Sequence, residues 1–306
     1  MDWKAQLNKF IKDAVAEGTD LDRFAWANAA AIEGAVSGRG PDDTVDDPEA
    51  GARMVVNISS AHVPAFCDAS RKGDLKPYKN AYDLAKYRIG ESPPDEKLKS
   101  REIVDRALPL NDHDVAHNVY FGAIELNGVG IRFYGDVCLV LRRDSLADDT
   151  VILDRNSYDL IRAPIRDRVD QQPQSKQAQA RKDEASKLWG SWRKDVGVMA
   201  ALKTLQVLGL RTRRCTTGQI SEAVRDDEDY MEVLKIRSFG TKQLQEARLS
   251  AAEAAHDALT GDRFLSGPAP RMEALMWRNR RRRAEEELRH NGVRVRVVTT
   301  SGRTKD

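Results

Sequence analysis

The sequence predicts an α+β fold: a central antiparallel β-meander with flanking helices, a helical N-terminal region and a helical C-terminal region. Three observations carry the prediction. Residues 117–160 concentrate β-branched and aromatic side chains in short runs, punctuated by glycine and by the hairpin-favouring pair Asn127-Gly128. On both sides of that segment apolar residues recur at helical spacing instead. No G-x-G-x-x-G or Walker pattern opens a βαβ unit, so neither a Rossmann fold nor a P-loop is expected.

In chain order, Trp3, Leu7, Phe10, Ile11 and Val15 predict an amphipathic helix over 2–17. Phe24, Trp26, Ile32 and Val36 predict another, stopped at Gly38-Arg39-Gly40-Pro41 and followed by an acidic loop over 42–49. Met54–Ile58 reads as a strand, and His62–Phe66 starts a helix with Pro64 in its first turn. Residues 72–79 and 90–94 read as loops. The meander comprises 118–126, 131–141 and 150–154, the first two joined through Asn127-Gly128. Residues 168–188 are polar and glutamine-rich, a solvated linker or the outside of a long helix. Trp189, Trp192, Val196, Met199, Leu202 and Leu205 lie on one helical face, closed by Gly209. Ile220–Val224 and Tyr230–Ile236 read as strands. Helices follow over 241–259 and 270–290, then Gly292 as a C-cap, an alternating edge strand over 293–298 and a frayed tail. The expected organisation is an N-terminal helical region (1–50), an α+β core (51–240) and C-terminal helices with an edge strand (241–306).

Composition narrows the classes of function. At 41% hydrophobic and 32% charged residues the chain is globular, not disordered. A net charge of +2 excludes a uniformly basic protein, so any nucleic-acid contact needs a local basic patch. Three widely separated cysteines, Cys67, Cys138 and Cys215, supply no zinc ribbon and no C-x-x-C redox pair, and fit a reducing compartment. No apolar run approaches the ~20 residues that cross a bilayer, and no secretory signal opens the chain. The expectation is a soluble, cytoplasmic protein.

Few residues carry a chemical pattern. His113 and His117, with Asp112 and Asp114 beside them, stand at a spacing that could serve a metal, but no H-E-x-x-H supports it, and no metal site is expected. His62 stands where a strand gives way to a helix, a place where side chains face clefts, or simply pack at the junction. Glu222, on the expected strand 220–224, is placed to stabilise a developing cation or act as a base; the alternative is a solvent-facing residue of an alternating strand. Glu232 competes with it, although E-x-x-K departs from the nuclease E-x-K spacing. The run Asp226–Asp229 reads as a solvated turn. Arg278, Arg280, Arg281, Arg282 and Arg283 form the one basic cluster, a nucleic-acid or phosphate contact unless Glu285–Glu287 neutralise it through i,i+4 pairs.

Three of these segments, in order, resemble the ADP-ribosyltransferase fold in its DNA-modifying or toxin-type (DarT-like) branch. Ile58-Ser59-Ser60-Ala61-His62-Val63-Pro64 is similar to that family's strand-end histidine and following helix, with Gly73-Asp74-Leu75 as the exit. Phe133–Leu141 is similar to its core strand, followed by the segment Asp154-Arg155-Asn156-Ser157-Tyr158. Gln219-Ile220-Ser221-Glu222 is similar to its late-strand glutamate. The resemblance spans residues 54–236. It implies that NAD is a substrate, that His62 holds its ribose, that Tyr120 or Tyr134 stacks on the nicotinamide, that Asn156 helps bind it, and that Glu222 stabilises the oxocarbenium-like centre or activates the acceptor. The departures are a long interval from His62 to the central strands and an N-terminal helical region without counterpart.

The expected function is therefore an NAD-dependent ADP-ribosyltransferase-like enzyme modifying nucleic acid or protein, an effector of the toxin or phage-defence kind. Two rivals remain: a non-enzymatic binding module using Arg278–Arg283, and a metal-dependent nuclease using Asp226, Glu228 or Glu232.

Overall fold

The computed structural model describes residues 7, 12–13, 19–37, 51–87, 95–108, 110, 113–126, 128–145, 150–192, 196–209, 214–224, 230–266 and 271–298. The chain runs β1 (Lys12–Asp13), α1 (Thr19–Ala27), α2 (Ala29–Ser37), β2 (Arg53–Ile58), α3 (Val63–Lys72), α4 (Ala81–Tyr87), α5 (Asp95–Ala107), α6 (His113–Ala116), β3 (Val119–Glu125), β4 (Val137–Leu141) and β5 (Thr150–Leu153). It continues with α7 (Ile165–Asp170), α8 (Gln174–Ala185), β6 (Trp189–Trp192), α9 (Val196–Leu208), α10 (Thr217–Val224), β7 (Glu232–Ile236), β8 (Leu244–Ser250), α11 (Ala251–Ser266), α12 (Met272–His290) and β9 (Arg294–Val298). Most of the expected N-terminal helix 2–17, the acidic loop 42–49 and the tail 301–306 lie outside the described residues; within the first, Lys12–Asp13 is a short strand paired with β6.

The α+β class holds, but the meander does not. The nine strands among the described residues form one mixed sheet in the order β1-β6-β5-β7-β3-β2-β4-β8-β9. β2 inserts between β3 and β4, and β7 between β3 and β5. The reason is burial: every residue of β2 is buried, and such a strand must be central. The expected second strand also starts late. Arg132–Tyr134 is a 3-10 turn after Gly130 (φ +65°), and this loop carries the chain across β2.

Three further segments change type. Residues 220–224 belong to helix α10, not a strand. Thr216 Oγ1 accepts from the Gln219 N–H at 3.2 Å, and the Thr216 N–H donates to Gln219 Oε1 at 2.9 Å, a reciprocal capping box that starts a helix. Trp189–Trp192 is strand β6, and the helix begins only at Val196. Residues 244–250 are strand β8, although Leu-Gln-Glu-Ala-Arg has good helix propensity. Pairing on both sides, with β4 and β9, overrides it. The polar 168–188 stretch holds helices α7 and α8. Gly209 (φ +74°) and Gly292 (φ +74°) end their helices as expected, and β9 is the edge strand.

Alternation along the strands gives the sheet two apolar faces. Met54, Val56, Leu139, Ile152 and Val233 pack under α1, α2, α9, α10, α3 and α12. Val119, Val151, Leu153 and Leu234 pack under α5 and α8 on the other side. Between them the sheet carries a seam. β2 pairs with β3 only over Arg53–Val55 and Ala123–Glu125. Beyond that, Val56–Ile58 pairs with β4 alone and Val119–Gly122 with β7 alone. Gly122 stands at the divergence, where a Cβ would lie 2.6 Å from the Val55 carbonyl oxygen. Among the described residues no helix is long and apolar enough to cross a membrane.

Candidate functional site

The site assembles on the α5/α8 face of the sheet, beside the seam. Its centre is Glu232, the first residue of β7, held between Ala123 of β3 and Leu153 of β5. Its side chain shares a face with Leu234, Phe121 and Ala123, and it is only 2% exposed. Oε2 accepts the backbone N–H of Ser157 at 2.9 Å. Burial pushes the carboxyl up to about 7, against the pull of Arg101 and of the hydrogen bond from Ser157. A carboxyl poised there can serve in either protonation state near neutrality.

Arg101 comes from the middle of α5 and is 4% exposed. Its Nε donates to Asp105 Oδ1 at 2.8 Å, and Nη2 donates to the same oxygen. The guanidinium lies over the Phe121 ring at 3.6 Å and 5.3 Å from the Tyr158 ring. Burial opposes the Arg101 charge, yet the adjoining Asp105 carboxylate holds its pKa above the ordinary value. Asp105 Oδ2 accepts from the Tyr82 hydroxyl at 2.6 Å, and Tyr82 stacks on His117 at 4.7 Å.

A loop on the same face completes the rim. Asn57, at the end of β2, donates to the carbonyls of Val129 (2.9 Å) and Gly135 (3.0 Å) and accepts the Ile131 N–H (2.8 Å). This holds Tyr134, 42% exposed, with its hydroxyl 3.3 Å from that of Tyr230. Gly135 is required for the close approach, since a Cβ there would lie 2.2 Å from the Ile58 carbonyl carbon.

The sequence-derived residues divide around this centre. Glu222 is exposed on α10, so the strand premise behind its choice fails. Tyr120 is fully buried on the opposite face, packed edge-on against Tyr78 at 5.9 Å. Asn156 is buried and accepts the Tyr158 N–H at 2.9 Å, capping the turn that carries Ser157 to Glu232. His62 does stand between a strand and a helix, half-buried ahead of α3, and the neighbouring Ser60 N–H donates to Asp136 Oδ1 at 2.7 Å. Tyr134 is at the site.

The arginine cluster is split rather than uniform. Arg281 points inward to Asp257, with Asp136 at 3.5 Å, and Arg278 donates to the Asp257 carbonyl at 3.1 Å. Arg282 pairs with Glu286 at 3.1 Å, Arg280 lies over Trp277 at 5.0 Å, and Arg283 is exposed. Between α11, α12 and the 132–136 segment lies a cavity of about 550 Å³ lined by Arg132, His256, Arg271, Trp277 and Arg281 among others.

Metal chemistry finds no cluster: among the described residues no group of three or more His, Cys, Asp or Glu could hold an ion. Asp226, Glu228 and Asp112 lie outside the described residues, as does the side chain of His113. Burial pushes the Cys67 thiol up to about 12 and the Cys138 thiol above its ordinary value, which leaves both poor nucleophiles.

Sequence reasoning missed Arg101, Asp105 and Tyr158. A signal for the first two existed. In α5, Arg101 and Asp105 fall on the same helical stripe as Val104 and Leu108, and a charged i,i+4 pair on an apolar stripe marks burial. Comparison of the chain with protein-family models, curated proteins and solved structures gives no match.

Proposed function

We propose that the protein is an NAD-dependent ADP-ribosyltransferase-like enzyme in which Glu232, not Glu222, is the late-strand glutamate. The observation that carries this reading is a buried strand-borne carboxyl, beside a seam in the central sheet and ringed by Tyr134, Tyr158 and Tyr230. His62 at the strand–helix junction and the partly exposed Tyr134 ring support it. They are the residues proposed to hold the ribose and to stack on the nicotinamide.

In the proposed reaction the bond between the ribose C1′ of NAD and the nicotinamide nitrogen breaks, and nicotinamide leaves with the electron pair. Positive charge develops on the ribose, where ionised Glu232 stabilises it. An acceptor oxygen or nitrogen then bonds to C1′, and its proton passes to Glu232. The acceptor is a nucleic acid or a protein, and the biological setting is that of a toxin or phage-defence effector.

The test is transfer from labelled NAD to mixed DNA, RNA and protein acceptors. Glu232→Gln should lower turnover by at least about a hundredfold while Glu222→Ala leaves it within about twofold. Absence of NAD binding and of turnover with every acceptor overturns the reading.

A second reading, a nucleic-acid-binding module, is favoured by the cavity beside α12, where Trp277 offers a stacking surface next to Arg271 and Arg281. It requires oligonucleotide binding that weakens steeply with salt, falls with Trp277→Ala and is indifferent to Glu232→Gln.

A further inference from the structure

Arg101 is an expensive residue to bury, and the fold surrounds it with partners from four separate segments. Asp105 takes two of its N–H groups on one oxygen. The Phe121 ring of β3 lies beneath it, and Tyr158 flanks it from the turn whose first residue, Ser157, donates to Glu232. Tyr82, from α4, takes up the second Asp105 oxygen. Among the described residues Nη1 has no hydrogen-bond partner, so Asp105 does not use the whole guanidinium. A buried pair of this kind seldom increases stability over an apolar replacement, which makes its place the more telling feature: the Phe121 ring beneath Arg101 shares the sheet face of Glu232, and Tyr158 beside Arg101 directly follows Ser157, the donor to Glu232.

We propose that Tyr82, Asp105 and Arg101 form a positioning chain for Glu232. Tyr82 clamps Asp105, Asp105 orients the Arg101 guanidinium between Phe121 and Tyr158, and Arg101 is the counter-charge for the carboxyl on the same face of the sheet. The chain rests on the reading of Glu232 as the reacting group. Arg101 from α5 and Asp159 from the 157–161 turn act on Glu232, and Tyr158 of that turn, Tyr134 from the 131–135 loop and Tyr230 ahead of β7 lie within its field; Asp105 acts on Arg101 and Tyr158, and Arg162 on Tyr134 and Tyr230. Arg101 is the attractive charge with the largest effect on Glu232, and Asp105 is the group that partly neutralises it.

This arrangement makes a prediction of opposite signs. Arg101→Met removes the counter-charge and should raise the titration of Glu232, whereas Asp105→Asn leaves Arg101 less neutralised and should lower it. Each shift should be about one pH unit. The titration is read in the full-length, ligand-free protein from the carboxyl infrared band that Glu232→Gln abolishes. Shifts in the same direction, or none, overturn the proposal.

If Arg101→Met does not fold, Arg101→Lys and Tyr82→Phe carry the test. Both keep the charges but loosen the geometry, and should lower kcat about fivefold to tenfold with KM for NAD unchanged; an unchanged kcat overturns it. The titration needs no NAD, so opposite shifts in a protein without NAD turnover would retain the positioning chain and sink the transferase reading.

Discussion

The backbone N–H of Ser157 donates to Oε2 of Glu232 at 2.9 Å, joining residues 75 positions apart in the chain. Behind this contact stands Asn156, whose side chain caps the same turn, so a loop between β5 and α7 is shaped to meet one buried carboxyl. Four predictions follow from the site and its supports.

The first concerns stability and pH. Burial raises the Glu232 carboxyl from an ordinary 4.5 to about 7 in the folded chain. Between those values the folded state holds a proton that the unfolded state has lost, so stability falls as pH rises through this window and levels off above it. Glu232→Gln removes the titration. Thermal melts should show the variant gaining on wild type by a few kcal/mol from pH 4.5 to pH 8. A difference independent of pH would show that Glu232 titrates normally.

The second concerns rate. If transfer uses ionised Glu232, activity should rise with pH and reach half its maximum near pH 7, the value to which burial pushes the carboxyl. Asp105→Asn should move that midpoint down. A midpoint below pH 5 in wild type would assign the ionising group elsewhere.

The third concerns Asn57. Asn57→Ala removes three hydrogen bonds to the 129–135 loop and leaves buried backbone groups unpaired, at a cost of about 2–4 kcal/mol in urea unfolding. Because this loop presents Tyr134, NAD affinity should fall more than stability alone explains. Retained affinity in the folded variant would argue against a binding role for Tyr134.

The fourth is a matched pair on one scale. Glu222→Ala, on the exposed side of α10, should change stability by less than about 0.5 kcal/mol. Gly122→Ala should cost about 1–3 kcal/mol, since its Cβ would meet the Val55 carbonyl oxygen at 2.6 Å. Equal effects at the two positions would contradict the seam.

Several local features were legible in the residues themselves. The strand at 54–58, the helix opened by Pro64, the strand at 230–236, the C-terminal helix and its Gly292 cap each depend on a few neighbouring side chains, and each stands close to where pattern places it. Thr216-Thr217-Gly218-Gln219 was legible too, as a capping box, and reading it as a strand entry moved Glu222 onto the wrong kind of element.

The sequence alone determined the α+β class, most of the local elements and a choice between two glutamates, Glu222 and Glu232. Tertiary structure decided the strand order, the conversion of 244–250 into a strand, and which glutamate is buried. The physical reason is range. Periodicity and caps act over a turn or two of chain, whereas the environment of Glu232 is set by Arg101, Ala123, Leu153 and Ser157, brought together only when β7 pairs between β3 and β5.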